Sequence, residues 1–199
     1  MHRFAPSPLL LSAMFTLVSA TAFGAEPVPA TKPASSPAPA AAASAPAPRP
    51  EDVATPEAIV TALYDVISGP KGQARDWNRF RSLFAPDARM IPLGKRPDGT
   101  VGHRMLTPED YITRSEKMLV EDGFREREVS RVVEQFGPLV HVFSTYEAFR
   151  KEEPRPFMRG INSIQVMHDG KRWWLVTVAW TAETPELPLP AKYLPSLRK

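Results

Sequence analysis

The sequence predicts an α+β domain: a cone-shaped, curved antiparallel sheet closed on one face by three helices. Three observations point there. Helix-start signals stand at Thr55-Pro56-Glu57, at Asp76 and at Thr107-Pro108-Glu109-Asp110, each ahead of apolar residues at helical spacing. Residues 124–182 then read as long strand-like segments, two of them joined at Asp169-Gly170, a strong hairpin turn. Helices gathered ahead of a run of strands are the signature of the α+β class.

The first helix opens with Thr55 as cap, Pro56 in the first turn and Glu57 opposing the positive helix end. Ile59, Leu63, Val66 and Ile67 share its inner face, and Gly69-Pro70 stops it. The second helix, capped by Asp76, turns Trp77, Phe80, Leu83 and Phe84 inward and ends at Pro86. A strand is expected over residues 88–92, a turn at Arg96-Pro97-Asp98-Gly99 and a return strand over 100–105. The third helix places Tyr111, Ile112, Ser115, Met118 and Leu119 inward. Strands follow over 124–136, 139–150, 157–168 and 171–182, and the proline-rich tail either packs along an edge or hangs loose.

Ahead of the domain lies different chemistry. Residues 1–24 have the basic start, uncharged apolar run and small-residue end of a secretory signal peptide, with cleavage after Ala22 or after Gly24. The apolar run is shorter than the ~20 residues that span a bilayer, so no membrane span is expected in the mature form. Residues 25–51 are rich in Ala, Pro and Ser and read as a disordered linker, either a working tether or a solvated tail. The expected domain covers 52–187, and 188–199 form a C-terminal tail. The destination is the periplasm or the exterior. With no cysteine, disulfides, thiol catalysis and lipid attachment through sulfur are excluded. The formal charge of +3 comes from interspersed charges, not a basic stripe, which argues against a nucleic-acid partner.

The stretches "TPEAIVTALYDVISG…DWNRFRSLFAPDARM" and "RGINSIQVMHDGKRWWLVTVAW" resemble the nuclear transport factor 2-like superfamily, which includes ketosteroid isomerases, scytalone dehydratases and polyketide-cyclase-like proteins. The resemblance covers about residues 55–183 and rests on scaffold pieces, "LFAPDA" and "DGKRWW". It implies the cone-shaped fold with an interior pocket. It also implies that the isomerases' base position is Pro92, which abstracts no proton, and that their late-strand acid is Asn162, an amide that donates but does not titrate. The helix-1 tyrosine of that family falls at or next to Leu63, with Tyr64 one residue off the inward face. A dehydratase of this fold would use a histidine, for which His103 and His141 are available.

Strand parity puts Asn162, Ile164 and Val166 on one face, and Trp174, Val176, Val178 and Trp180 on one face of the last strand. The alternate faces carry Ile161, Ser163 and Gln165, and Trp173, Leu175 and Thr177, so both faces are partly apolar. The helix side then forms the pocket, and a second copy of the chain covers the outer face. Asn162, Trp180, Tyr146 and Tyr111 are the expected ligand-binding residues, with His103 and Arg159 near the mouth. The two sheet aromatics serve equally as core, and Arg159 as a rim charge paired with Glu152 or Glu153. Asn162 stands out because an unbonded buried amide costs ~1–3 kcal/mol, so it needs a neighbour or a ligand. No histidine spacing suggests a metal and no loop suggests a phosphate; no cofactor is expected. Three functions stay open: binding of a small hydrophobic or amphipathic ligand; a cofactor-independent isomerase, dehydratase or hydrolase with His103 or Tyr146 in acid–base work; and assembly through the outer face.

Overall fold

The computed structural model describes residues 46–150 and 153–195. The expected signal peptide and most of the expected linker lie outside them. The helices are α1 (Pro56–Ile67), α2 (Trp77–Leu83) and α3 (Pro108–Glu121); the strands are β1 (Phe84–Lys95), β2 (Val101–His103), β3 (Phe124–Phe136), β4 (Leu139–Arg150), β5 (Met158–His168) and β6 (Trp173–Ala182).

All three helix starts form for the local reasons expected. The Thr55 hydroxyl accepts the Ala58 N–H at 3.0 Å, and the Asp76 carboxylate accepts the Arg79 N–H at 2.9 Å. Thr107 and Asp110 close a reciprocal capping box. The opposite helix ends are tied by a residue the sequence did not single out. Arg75 is buried and donates to the carbonyls of Ile67 at the end of α1, Leu119 near the end of α3, and Gly69 and Gln73 between α1 and α2. A cation among the carbonyl ends of two helices opposes their negative dipole ends and meets their orphan acceptors.

The six strands form one sheet in the order β2-β1-β6-β5-β4-β3. It is mixed, not purely antiparallel as expected, because β1 runs parallel to β6. β1 also starts earlier than residue 88, directly at the end of α2. Pro86 and Asp87 interrupt its register, since proline has no ladder donor and Asp87 sits at φ 62°. The return strand is only the three residues of β2.

The inner face is assembled from β4, β5 and β6 in matching rows: Ser144–Asn162–Trp180, Val142–Ile164–Val178 and Val140–Val166–Leu175. The expected face of β5 is the buried one. The expected parity of β6 holds at Val178 and Trp180 and fails at Trp174 and Val176. The ladder slips opposite Gln165 and Val166, which places an extra residue in β6 at Val176. Leu175 and Val178 therefore both point inward, while Trp174 lies half-buried with its indole donating to Asp169 at 2.8 Å. A second slip, between Glu128 and Ser130 of β3, brings Glu128 and Arg131 together as an ion pair.

The outer face carries part of the chain itself. Residues 183–195 lie against it: the Thr145 hydroxyl donates to the Tyr193 carbonyl at 2.7 Å, the rings of Phe143 and Tyr193 are 4.9 Å apart, and Leu187–Pro190 wall a recess with Ile161, Ser163 and Ala179. This covers part of the surface for which a second subunit was expected. The tail thus packs, over the face more than along an edge.

Candidate functional site

A cavity of about 330 Å³ lies between the helices and the inner sheet face. Leu63 and Ile67 of α1, Met118 and Leu119 of α3, Met90 of β1 and Val178 of β6 give it apolar walls. Aromatic side chains add to these. Tyr111 stacks on Phe80 with ring centres 5.4 Å apart and meets Trp180 edge-on at 6.3 Å. Phe124 and Phe157 close the remaining side, where the Arg150 guanidinium lies over the Phe157 ring at 4.4 Å.

Four of the six expected site residues, Asn162, Trp180, Tyr146 and Tyr111, line this cavity. The other two do not. His103 is exposed on β2, and Arg159 pairs with Glu183 just beyond β6 at 2.8 Å. His141 bonds Ser163 on the outer face at 2.9 Å.

Asn162 resolves its need for a partner within the protein. Its amide donates to the Tyr64 hydroxyl oxygen at 3.0 Å and to Glu126 Oε1 at 3.1 Å. Both amide hydrogens are thereby committed. Tyr64, expected one residue off the inward face, is buried and faces the sheet: its hydroxyl lies 2.7 Å from Ser144 Oγ. Ser144 donates in turn to Glu128, which Arg131 holds. The direction of this chain follows from its end. Since the Ser144 proton goes to a carboxylate, Tyr64 donates to Ser144 and keeps its lone pairs for Asn162.

Glu126 is the residue that sequence reasoning missed. It sits in "FREREVSR", whose alternating charges read as a solvated strand start. In the fold its carboxyl reaches the cavity, with Asn162 as its hydrogen-bond donor. Burial pushes it up to about 7, only partly offset by the Asn162 amide. The same burial, with the Glu126 charge adding to it, raises the phenols of Tyr64, Tyr111 and Tyr146. Tyr146 has a further peculiarity. Its hydroxyl is buried without a hydrogen-bond partner among the described residues. It lies opposite Gly160, where a Cβ would come within 2.6 Å of the hydroxyl oxygen. The only sequence hint of Glu126 was its alternation with Arg125 and Arg127, which places those two together on the other face, against Phe149.

Chemically, the cavity offers a carboxyl that changes charge near neutrality, at one end of an apolar and aromatic chamber. No three His, Cys, Asp or Glu side chains gather as a metal-binding set among the described residues.

No family model and no curated protein matches the sequence. Among solved structures, the chain is similar to a protein of unknown function with a cystatin-like fold from Nostoc punctiforme, at 14% identity, covering 66% of this chain and 90% of that one, with a TM-score of 0.49. It is similar to an NTF-2 like protein of unknown function from Silicibacter pomeroyi at 16% identity, covering 65% and 94%, with a TM-score of 0.43. An NTF2-like protein from Cytophaga hutchinsonii stands at 14% identity, 63% and 89% coverage, and a TM-score of 0.43. The fold itself is read from the strand order and helix placement above. Three helices on one face of a six-stranded sheet, with an interior cavity between the layers, make up the α+β architecture that the sequence resemblance to the nuclear transport factor 2-like superfamily implies.

Proposed function

We propose that this chain is an exported domain that binds a small, largely apolar molecule in the cavity between helices and sheet. One observation carries the reading: a chamber with apolar and aromatic walls holds, among the described residues, a single carboxyl, Glu126, oriented by Asn162. Concave apolar sites with a few placed polar groups are the usual form of small-molecule sites. Native mass spectrometry of the protein purified from its own compartment is expected to show a retained ligand. A spectrum with only the unliganded mass, under conditions gentle enough to keep weak complexes, counts against it. Export rests on residues 1–24, and identification of the mature N-terminus is expected to place it after Ala22 or Gly24.

A second reading is favoured by the same carboxyl. A group that ionises near neutrality inside an apolar site suits general acid–base work, which points to cofactor-independent isomerisation, elimination or hydrolysis of a small apolar substrate. Glu126, not His103, then carries the proton. Under this reading Glu126→Gln abolishes turnover while ligand retention survives.

A further inference from the structure

We infer that the cavity selects organic cations, and that its ligand is a small aromatic or aliphatic amine whose ammonium group pairs with Glu126. The inference rests on the binding reading above and adds the chemical class of the ligand.

Among the described residues lining the cavity, Glu126 is the one acidic side chain and Arg150 the one basic one. The two are not an ion pair; Arg150 is exposed and stacked on Phe157. The groups around Glu126 are Tyr64 from α1, Tyr111 from α3, Glu128 on its own strand, Tyr146 from β4 and Asn162 from β5, none of them cationic. Arg75, whose charge is felt at Tyr111, already satisfies backbone carbonyls. Among the described residues, ionised Glu126 therefore has one amide donor and no counter-charge. Burial without a counter-charge is what raises its ionisation to about 7.

A ligand ammonium supplies the missing charge. Its N–H groups can donate to the carboxylate in a charge-assisted bond. The walls suit it as well. Tyr64, Tyr111, Tyr146, Trp180 and Phe124 present aromatic rings to the chamber, and such rings attract cations through their negative faces. A carboxylate ligand would face repulsion from Glu126. A neutral ligand would leave the carboxyl protonated and gain nothing from its charge.

Linkage fixes the sign of the pH effect. The ammonium binds the ionised carboxylate, so amine affinity rises with pH through about 7. Binding below that point releases a proton from Glu126. Simple alkylamines, with ionisation near that of a lysine at ~10.4, stay cationic throughout this range.

The test uses three probes with one carbon skeleton: phenethylamine, phenethyl alcohol and phenylacetate. Titration calorimetry of the mature protein at about pH 8 is expected to show the amine binding at least about tenfold more tightly than the alcohol, and phenylacetate weakest. Amine affinity is expected to fall about tenfold between about pH 8 and about pH 6. Calorimetry near neutrality in two buffers of different ionisation heat reads the released proton. In Glu126→Gln, amine and alcohol are expected to bind within about twofold of each other. The pH profile and the proton count use the unmodified protein, so they stand even if that variant folds poorly. Equal affinity of amine and alcohol in the unmodified protein overturns the inference while leaving the binding reading intact. Tightest binding by phenylacetate also overturns it and assigns the charge recognition to Arg150. If none of the three binds, the inference falls, and the binding reading is then decided by the native mass spectrum.

Discussion

Asn162 and Glu126 divide the work at the residue scale. The amide has both hydrogens committed to neighbours, so it positions Glu126 and can meet a ligand only through its oxygen, as an acceptor. The carboxyl has a stability signature of its own. Its folded ionisation, about 7, lies above the ordinary 4.5, so the native state keeps a proton that the unfolded chain has lost. Stability therefore falls as pH rises from about 4.5 to about 7, then levels off. The loss is on the order of 3 kcal/mol. Glu126→Gln is expected to raise the melting temperature at about pH 8 and to leave it nearly unchanged at about pH 5, as thermal melts would read. Equal shifts at both pH values would show that the carboxyl ionises normally. Gly160 makes a different prediction. A Cβ there meets the Tyr146 hydroxyl and the Thr181 backbone, and the backbone has no room to yield. Gly160→Ala is expected to cost about 1–3 kcal/mol in urea unfolding, with Tyr146 displaced from its buried position.

Among the elements, the helices owe their starts to local chemistry and their ends to a distant side chain. Thr107→Ala removes the capping box of α3 and is expected to cost ~1 kcal/mol. Arg75→Met removes the donors that serve the ends of both α1 and α3. Its expected effect is larger, about 2–4 kcal/mol, because several buried carbonyls lose their partner at once. Hydrogen exchange separates the two variants. The capping variant is expected to loosen the first turn of α3 only, whereas the Arg75 variant loosens the last turns of α1 and α3 together. The strands show the reverse dependence. The slip at Val176 shifts the second half of β6 by one residue, which puts Trp180 on the cavity side opposite Asn162.

For the whole molecule, the tail and the sheet are one structure. Residues 183–195 cover part of the outer face, with Tyr193 and Leu187–Pro190 over Phe143, Thr145 and Ile161. A chain ending at residue 187 is expected to melt several degrees lower and to self-associate through the uncovered surface. Sedimentation of both forms would show it. Association of the full chain at tens of micromolar would support the expected dimer, and association only after truncation would assign the cover to the tail.

How far the sequence could be read follows from the range of each interaction. Helix starts, the Asp169-Gly170 turn and the α+β order depend on residues a few positions apart, so pattern and turn chemistry determined them. Asn162 was identifiable as a polar residue among apolar neighbours, though not the owner of its hydrogen bonds. Those partners lie 98 residues away at Tyr64 and 36 away at Glu126. Glu126 itself was hidden by its neighbours, because charge alternation looks the same whether a face meets water or a cavity. Only the tertiary structure decided that, since burial belongs to the helices laid over a strand and not to the strand. The same holds for the parallel pairing of β1 with β6 and for the tail on the outer face. Both are contacts between segments far apart in the chain, where no local preference acts and only the fit of surfaces selects the partner.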